Sequence, residues 1–294
     1  KGAVCFYFSF DYMSEYFTNI MSFINDDYYC AQSVGVSLFL WNNSGTPFRD
    51  DRIAWQVDSS LNRFCWPRWL AASLAATEFV CVMDDDLIPV DDDVFRDALS
   101  WLATHGDRDT IIGPQGLVLD RTKTYREGAH VNAHKERWDK RRRRVLAKVE
   151  ERKPTTGAAL PSAAERVAGA AGGTAAAAEA AVDDAEAAEE AALQMIEEKT
   201  TSVAVDVIKG RMMIMRLASL RAKAGFLFSC NDRRGDDIAI SASLGDGRTR
   251  HHRVLQLFQN RVAELPAPHA LCAGEGGADH YALREKVRRR FFQD

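Results

Sequence analysis

The sequence predicts an α/β fold: a mostly parallel sheet flanked by helices and interrupted by a low-complexity, alanine-rich insertion. Three observations predict it. Strand-sized apolar runs alternate with helical patterns over roughly the first 85 residues, the signature of strands joined by helical crossovers. A hydrophobic content of 46% in 294 residues is enough to bury a sizeable core. From Ala163 to Ala192, 16 of 30 residues are alanine and most of the others are Glu, Asp or Gly, so the stretch favours helix but offers no large apolar face to bury.

The first element is a buried strand, "AVCFYFSF" at 3–10. "DYMSEYFTNIMSFI" follows with Tyr12, Tyr16, Phe17, Ile20, Phe23 and Ile24 at helical spacing behind a cap at Asp11. The run "VGVSLFLW" at 34–41 is a second strand, ending in the turn-rich "NNSGTP". "PRWLAASLAAT" is a helix with Pro67 in its first turn, where a missing N–H costs nothing, and "EFVCVM" is a third strand. "VFRDALSWLATHG" is a helix closed by Gly106, and "DTIIGPQGLVLD" supplies a short strand and a glycine turn. The insertion spans 133–198, helical or disordered, and contains the basic run at 141–144, which is read as a solvated helix face before a nucleic-acid or membrane patch. Patterning resumes with "VAVDVIKGRMMIMRLASL", a strand and turn into a helix, then "GDDIAISASL", and a basic amphipathic tail "HYALREKVRRRFF".

A net charge of -4 gives no general attraction to nucleic acid, so an anionic ligand must be held by local arginines or a metal ion. The six cysteines are scattered, with no CxxC pair and no short-range clustering, so neither a zinc ribbon nor a small disulfide scaffold is indicated. No apolar run reaches the length of a membrane span. The chain enters its first strand by Ala3, so Lys1 is expected to be the cut edge of a longer protein whose signal or anchor lies upstream.

The stretch "FVCVMDDDLIPVDDD" at 79–93 carries six aspartates. They divide by position. Asp84, Asp85 and Asp86 leave the carboxyl end of a strand, where ligands bind in open α/β sheets, and three adjacent carboxylates there call for a cation or hydrogen-bond donors. Asp91, Asp92 and Asp93 precede a helix, where a carboxylate caps free N–H groups and complements the dipole.

Three further features keep company with Asp84–Asp86: the strand end "SLFLWNNSG" at 37–45, "NRFCWPR" at 62–68, and "GDDIAIS" at 235–241. In this order and spacing they resemble the exostosin-like glycosyltransferases, over residues 3–130 and 200–294. The resemblance implies the GT-A fold, with residues 1–132 as the nucleotide-sugar-binding half and 199–294 as the acceptor and catalytic half. It implies transfer of a sugar, from a UDP-linked donor, to a glycan or protein-linked acceptor, and a Golgi or ER lumenal setting if the parent is a eukaryotic secretory protein. By the same resemblance Asp86 is a ligand of Mn2+ or Mg2+, with Asp84 and Asp85 reaching the ribose and the metal's waters and His280 adding a metal or diphosphate contact. Ser9, Phe10 and Asp11 match the place where the uridine is held, Asn42 ends the strand of the "WNN" motif, and Asn62, Arg63 and Arg68 lie near the nucleotide. Asp236 and Asp237 match the catalytic acidic pair. Asp236 would deprotonate the acceptor if configuration inverts, or position and stabilise charge if it is retained, as in the family. The sequence departs from the family at "SFDY", which lacks the arginine expected after the first strand.

Plainer readings stand beside these. Asp236 and Asp237 suit a helix cap, Arg63 and Arg68 suit pairing with nearby acids, and His280 suits packing. A haloacid-dehalogenase-like phosphohydrolase also sets an aspartate nucleophile after a strand, but the threonine it needs is absent from "DDDLIPV". A non-catalytic sugar-nucleotide-binding domain is the third alternative.

Overall fold

The computed structural model describes residues 3–9, 37–42, 47, 49, 51, 53–60, 64–84, 87–89, 93–120, 122–133, 202–223, 225, 234–245, 250–259, 261–264 and 276–292. The predicted helix after the first strand and nearly all of the 133–198 insertion lie outside the described residues.

The first half is a parallel sheet. Strands β1 (Ala3–Ser9), β2 (Ser37–Asn42) and β3 (Ile53–Asp58) lie side by side, and β4 (Phe79–Asp84) pairs with the other edge of β1. Helix α1 (Trp66–Ser73) packs on β1, β2 and β4, with Pro67 in its first turn as expected and Trp69, Ala71 and Ala72 buried. Strand β3 escaped sequence reading because "IAWQVD" carries Gln and Asp where a buried strand is usually apolar. Its residues are mostly half-buried, as befits the sheet edge.

The second half corrects the expectation of a mostly parallel sheet. After β5 (Leu87–Pro89) and helix α2 (Val94–His105) come β6 (Ile112–Gly113), β7 (Gln115–Val118), β8 (Ala129–Asn132), β9 (Ser202–Val205), β10 (Val207–Ile208) and β11 (Met212–Arg216). Helices α3 (Leu217–Ala222) and α4 (Asp236–Gly245), strands β12 (His252–Leu255) and β13 (Val262–Glu264), and helix α5 (Gly276–Phe291) complete the described chain. The main sheet runs β3-β2-β1-β4-β11-β6-β12-β9, beside a three-stranded sheet β10-β7-β8 and a two-stranded sheet β13-β5. Among the described residues four strand pairs are parallel and six antiparallel, so the fold is mixed α/β. The physical reason is connectivity. Parallel neighbours need a long crossover, which helices supply only while strands and helices alternate. From β6 to β11 among the described residues no α-helix separates the strands, and β11 re-enters next to β4 running the opposite way.

Burial follows the same logic. In β4 and β11 successive residues are buried, with Val80, Val82 and Met83 matched by Met212, Met213, Ile214 and Met215 at 0% exposure, because central strands are covered on both faces. The core continues through Leu99 and Leu102 of α2 and Leu217 and Leu220 of α3. A smaller cluster of Leu117, Tyr125, Val207, Ile238, Ala239 and Val287 joins α4 and α5 to the three-stranded sheet. Helix α2 ends at Gly106 as predicted. At its start, Asp93 occupies the cap position but makes no side-chain cap hydrogen bond, and instead pairs with Arg96 at 2.8 Å. Asp91 and Asp92 lie outside the described residues.

Candidate functional site

Strand order 3-2-1-4 reverses between β1 and β4, and in open sheets such a switch point opens a crevice beyond the carboxyl ends of the strands. The register brings Ser9 beside Asn42, Asn42 beside Asp58, and Phe8 beside Asp84, so these residues share that carboxyl edge. On the β2 side the edge is knitted together: Asn42, buried, donates to Asp58 at 2.8 Å, and Gln56 and Arg49 donate to the same carboxylate. Burial alone would raise the Asp58 pKa, but the bonds from Arg49, Asn42 and Gln56 hold it below the ordinary range.

On the β4 side the centre is Arg68, third residue of α1 and 4% exposed. Its Nε and Nη2 donate to Asp236 Oδ2 at 3.0 and 2.7 Å, while Nη1 donates to Asp84 Oδ1 at 2.6 Å. Asp236 Oδ2 also accepts the indole N–H of buried Trp69 at 2.7 Å. Burial disfavours a charged guanidinium, but Asp236 and Asp84 outweigh it and push the Arg68 pKa well above its ordinary value. Asp84 has a side chain 35% exposed. The protein around its carboxyl desolvates it, and that effect exceeds the attraction of Arg68 and Arg211, so its pKa is raised.

Asp237 builds a second node. Its Oδ2 accepts Arg284 of α5 and the Gly210 N–H at 3.0 Å, and its Oδ1 accepts the Ile238 N–H at 2.9 Å. Arg284 also donates to the Tyr125 hydroxyl at 2.6 Å and lies over that ring at 4.7 Å. Burial would raise the Asp237 pKa, yet Arg284 and the Gly210 N–H hold it down. Burial pushes the Tyr125 phenol up to about 12, so it stays protonated. Glycine at 210 allows the approach: a Cβ there would stand 2.9 Å from Arg68 Nη2 and 3.3 Å from Asp237 Cβ. One residue on, the Arg211 carbonyl accepts the Asp84 N–H at 2.8 Å, tying this turn to the end of β4.

His280, in the first turns of α5, is half-buried, and its Nδ1 has no hydrogen-bond partner among the described residues. Burial, then Arg284, Arg234 and Lys209, lower its pKa to about 4. It is therefore neutral at pH 7, the form in which imidazole binds metals. The donor chemistry at Asp84 also suits a hard cation: Arg68 holds Oδ1, and Oδ2 accepts no hydrogen bond among the described residues. No group of three His, Cys, Asp or Glu among the described residues is placed to hold a metal.

Of the residues singled out from sequence, Asp84, Arg68 and Asp236 meet, Asp237 forms the neighbouring node with Arg284, His280 lies in the field of Asp237 and Arg284, and Asn42 sits apart with Asp58. Ser9 is the last residue of β1, while Phe10, Asp11, Asn62, Arg63, Asp85 and Asp86 lie outside the described residues. Sequence reading missed Trp69, Tyr125, Gly210 and Arg284. Arg284 sat in a tail read only as basic and amphipathic. The one available signal was its spacing four residues after His280, which puts both on one face of a helix.

No family model matches the chain, and no curated protein sequence does either. Among solved structures, TarS 1-349 of S. aureus is similar with a TM-score of 0.44 and 11% identity, over 99% of this chain and 72% of that one. The galactosyltransferase LgtC in complex with donor and acceptor sugar analogs is similar with a TM-score of 0.37 and 7% identity, over 99% of this chain and 97% of that one. An active-site mutant of LgtC, Q189E, gives 0.37 and 8%, over 95% of this chain and 94% of that one. These are likenesses in the course of the chain.

Proposed function

We propose that this chain is a glycosyltransferase that takes a sugar from a nucleotide diphosphate donor, UDP-linked by its sequence resemblance, and passes it to a glycan or protein-linked acceptor. The observation that supports this most is the meeting of two acidic motifs, through Arg68 bound to Asp84 on one side and to Asp236, 168 positions away, on the other, at the switch point of the sheet. A site for breaking a sugar–phosphate bond needs positive charge for the diphosphate that leaves and carboxylates for positive character at the anomeric carbon. The carboxylates are present here, and the positive charge is assigned to the bound ion, because the guanidinium of Arg68 is buried and already taken up by Asp84 and Asp236.

Asp84 and Asp86, with His280, are the proposed holders of Mn2+ or Mg2+, and Asp85 a proposed contact of the nucleotide. When bound, the ion neutralises charge on the diphosphate. Arg68 keeps one oxygen of Asp84 fixed. Ser9, Phe10, Asp11, Asn42, Asn62 and Arg63 are proposed to line the nucleotide side of the same edge. The sequence resemblance assigns Asp236 and Asp237 to the catalytic pair, but their arginine-bound, buried state is unsuited to abstraction of a proton, because a base must reach the proton it takes, and suits support of the groups around them.

The test is calorimetric titration of UDP, GDP and phosphate with and without Mn2+, on the wild type and on Asp86→Asn. UDP binding that requires Mn2+ and is lost in the variant is the expected result. Should UDP fail to bind with metal present, or bind the variant equally well, the reading is wrong and phosphatase substrates come next.

A further inference from the structure

We infer that Asp236 is a positioning residue: together with Trp69 and Arg68 it forms one unit that sets the carboxylate of Asp84, and it does not itself touch substrate. The inference rests on the nucleotide-sugar reading of the site and sharpens the part played by Asp236 within it.

Among the described residues the geometry is a chain of donors and acceptors that ends at Asp84. Trp69 is fully buried and gives its only side-chain N–H to Asp236 Oδ2. The same oxygen takes Nε and Nη2 of Arg68, so three N–H groups converge on one carboxylate oxygen. The Asp236 side chain is 4% exposed, as is that of Arg68. Donation from Nε and Nη2 fixes the plane of the guanidinium, which leaves Nη1 aimed at Asp84 Oδ1. Of these described residues Asp84, 35% exposed, is the one that reaches solvent. Its backbone is pinned independently by the bond to the Arg211 carbonyl. A buried oxygen already accepting three donors is a poor candidate for taking a proton from an acceptor hydroxyl, but it is a good anchor for a guanidinium that must hold another carboxylate in one orientation. Such outer partners of a ligating carboxylate are a known determinant of affinity at metal–phosphate sites.

The two roles predict opposite results for UDP. A base or sugar-facing group acts on the part of the donor that UDP lacks, so Asp236→Asn would leave UDP affinity as in the wild type. A positioning unit predicts that Asp236→Asn and Arg68→Lys each weaken Mn2+-dependent UDP binding by about tenfold or more. Trp69→Phe, which keeps an aromatic side chain and removes the N–H donor, gives a smaller loss that vanishes when combined with Asp236→Asn, since both act through the same oxygen. Binding is read by calorimetry, with metal-free thermal unfolding of each variant as the control for folding. If a charge-removing variant does not fold, Trp69→Phe carries the comparison alone, with weakened UDP binding expected. UDP affinity unchanged in the folded variants overturns the inference while leaving the nucleotide reading in place. Failure of the wild type to bind UDP with metal overturns both.

Discussion

Arg68 shows how a single residue can join distant parts of a sequence. Its removal as Arg68→Met leaves Asp84 and Asp236 without their counter-charge, one of them buried, and is expected to cost about 3–5 kcal/mol in urea unfolding. Arg68→Lys is expected to recover only part of this, because an ammonium cannot reproduce the planar fork. The sequence marked Arg68 for phosphate or for nearby acids, and its observed partners are acids. That one of them is Asp236 could not be read, since nothing local links positions 168 apart. His252 makes a second argument at this scale. Its Nδ1 accepts the Ile111 N–H at 3.2 Å and its Nε2 donates to the Ser241 carbonyl at 2.8 Å, so a second proton has no acceptor. Burial accordingly lowers its pKa from 6.5 to about 3. Between those values the unfolded chain binds the proton and the folded one does not, so stability falls as pH drops through that window. Thermal unfolding from pH 7 to pH 4 should show this slope, reduced in His252→Gln; an unaltered slope would dismiss His252 as its source.

At the scale of elements, the entry to α4 decides where the acidic pair points. Gly235 takes φ +89°, a left-handed backbone that side chains disfavour, and a Cβ there would lie 3.0 Å from Val287 of α5. Gly235→Ala is therefore expected to lose about 1–3 kcal/mol from overpacking, together with the backbone strain, and to loosen α5 from α4. Hydrogen exchange would report this as lost protection in α5; protection equal to wild type would count against it. The "GDDIA" stretch reads as lying at a helix start, and α4 begins at Asp236, with both aspartates in its first turn. What it lacked was direction. Two adjacent aspartates at a helix N-terminus can cap, pair or face solvent, and only packed neighbours choose: here α1 supplies Arg68 and α5 supplies Arg284.

Across the whole molecule, carboxylates tie helix α5 to the turn at Tyr125 and to helix α4. Glu285 accepts Arg288 and Arg289 from its own helix and the Tyr125 N–H, and the bond from Arg288 leads in lowering its pKa from 4.5 to about 2. Asp237 is lowered as well by Arg284, against its burial. Groups with depressed folded pKa values add stability above their unfolded values and lose it as pH falls through the folded ones. Acid titration below about pH 4.5 should therefore release α5 first, with Glu285→Gln flattening that loss. Simultaneous loss of β4 and α5 signals at every pH would contradict an ordered release.

The sequence by itself determined the parallel first half, the Pro67 and Gly106 helix boundaries, and the break in patterning at the insertion. These are matters of local periodicity, turn chemistry and the ends of strands, which a dozen residues suffice to encode. The tertiary structure alone decided that the sheet is mixed, because strand direction depends on how a chain returns after a long excursion. It also decided that Asp84 and Asp236 share one arginine, and that Asp237 faces Tyr125 and Arg284. Pairing between buried charges is set by which side chains the core brings together, and that information is spread over the whole chain.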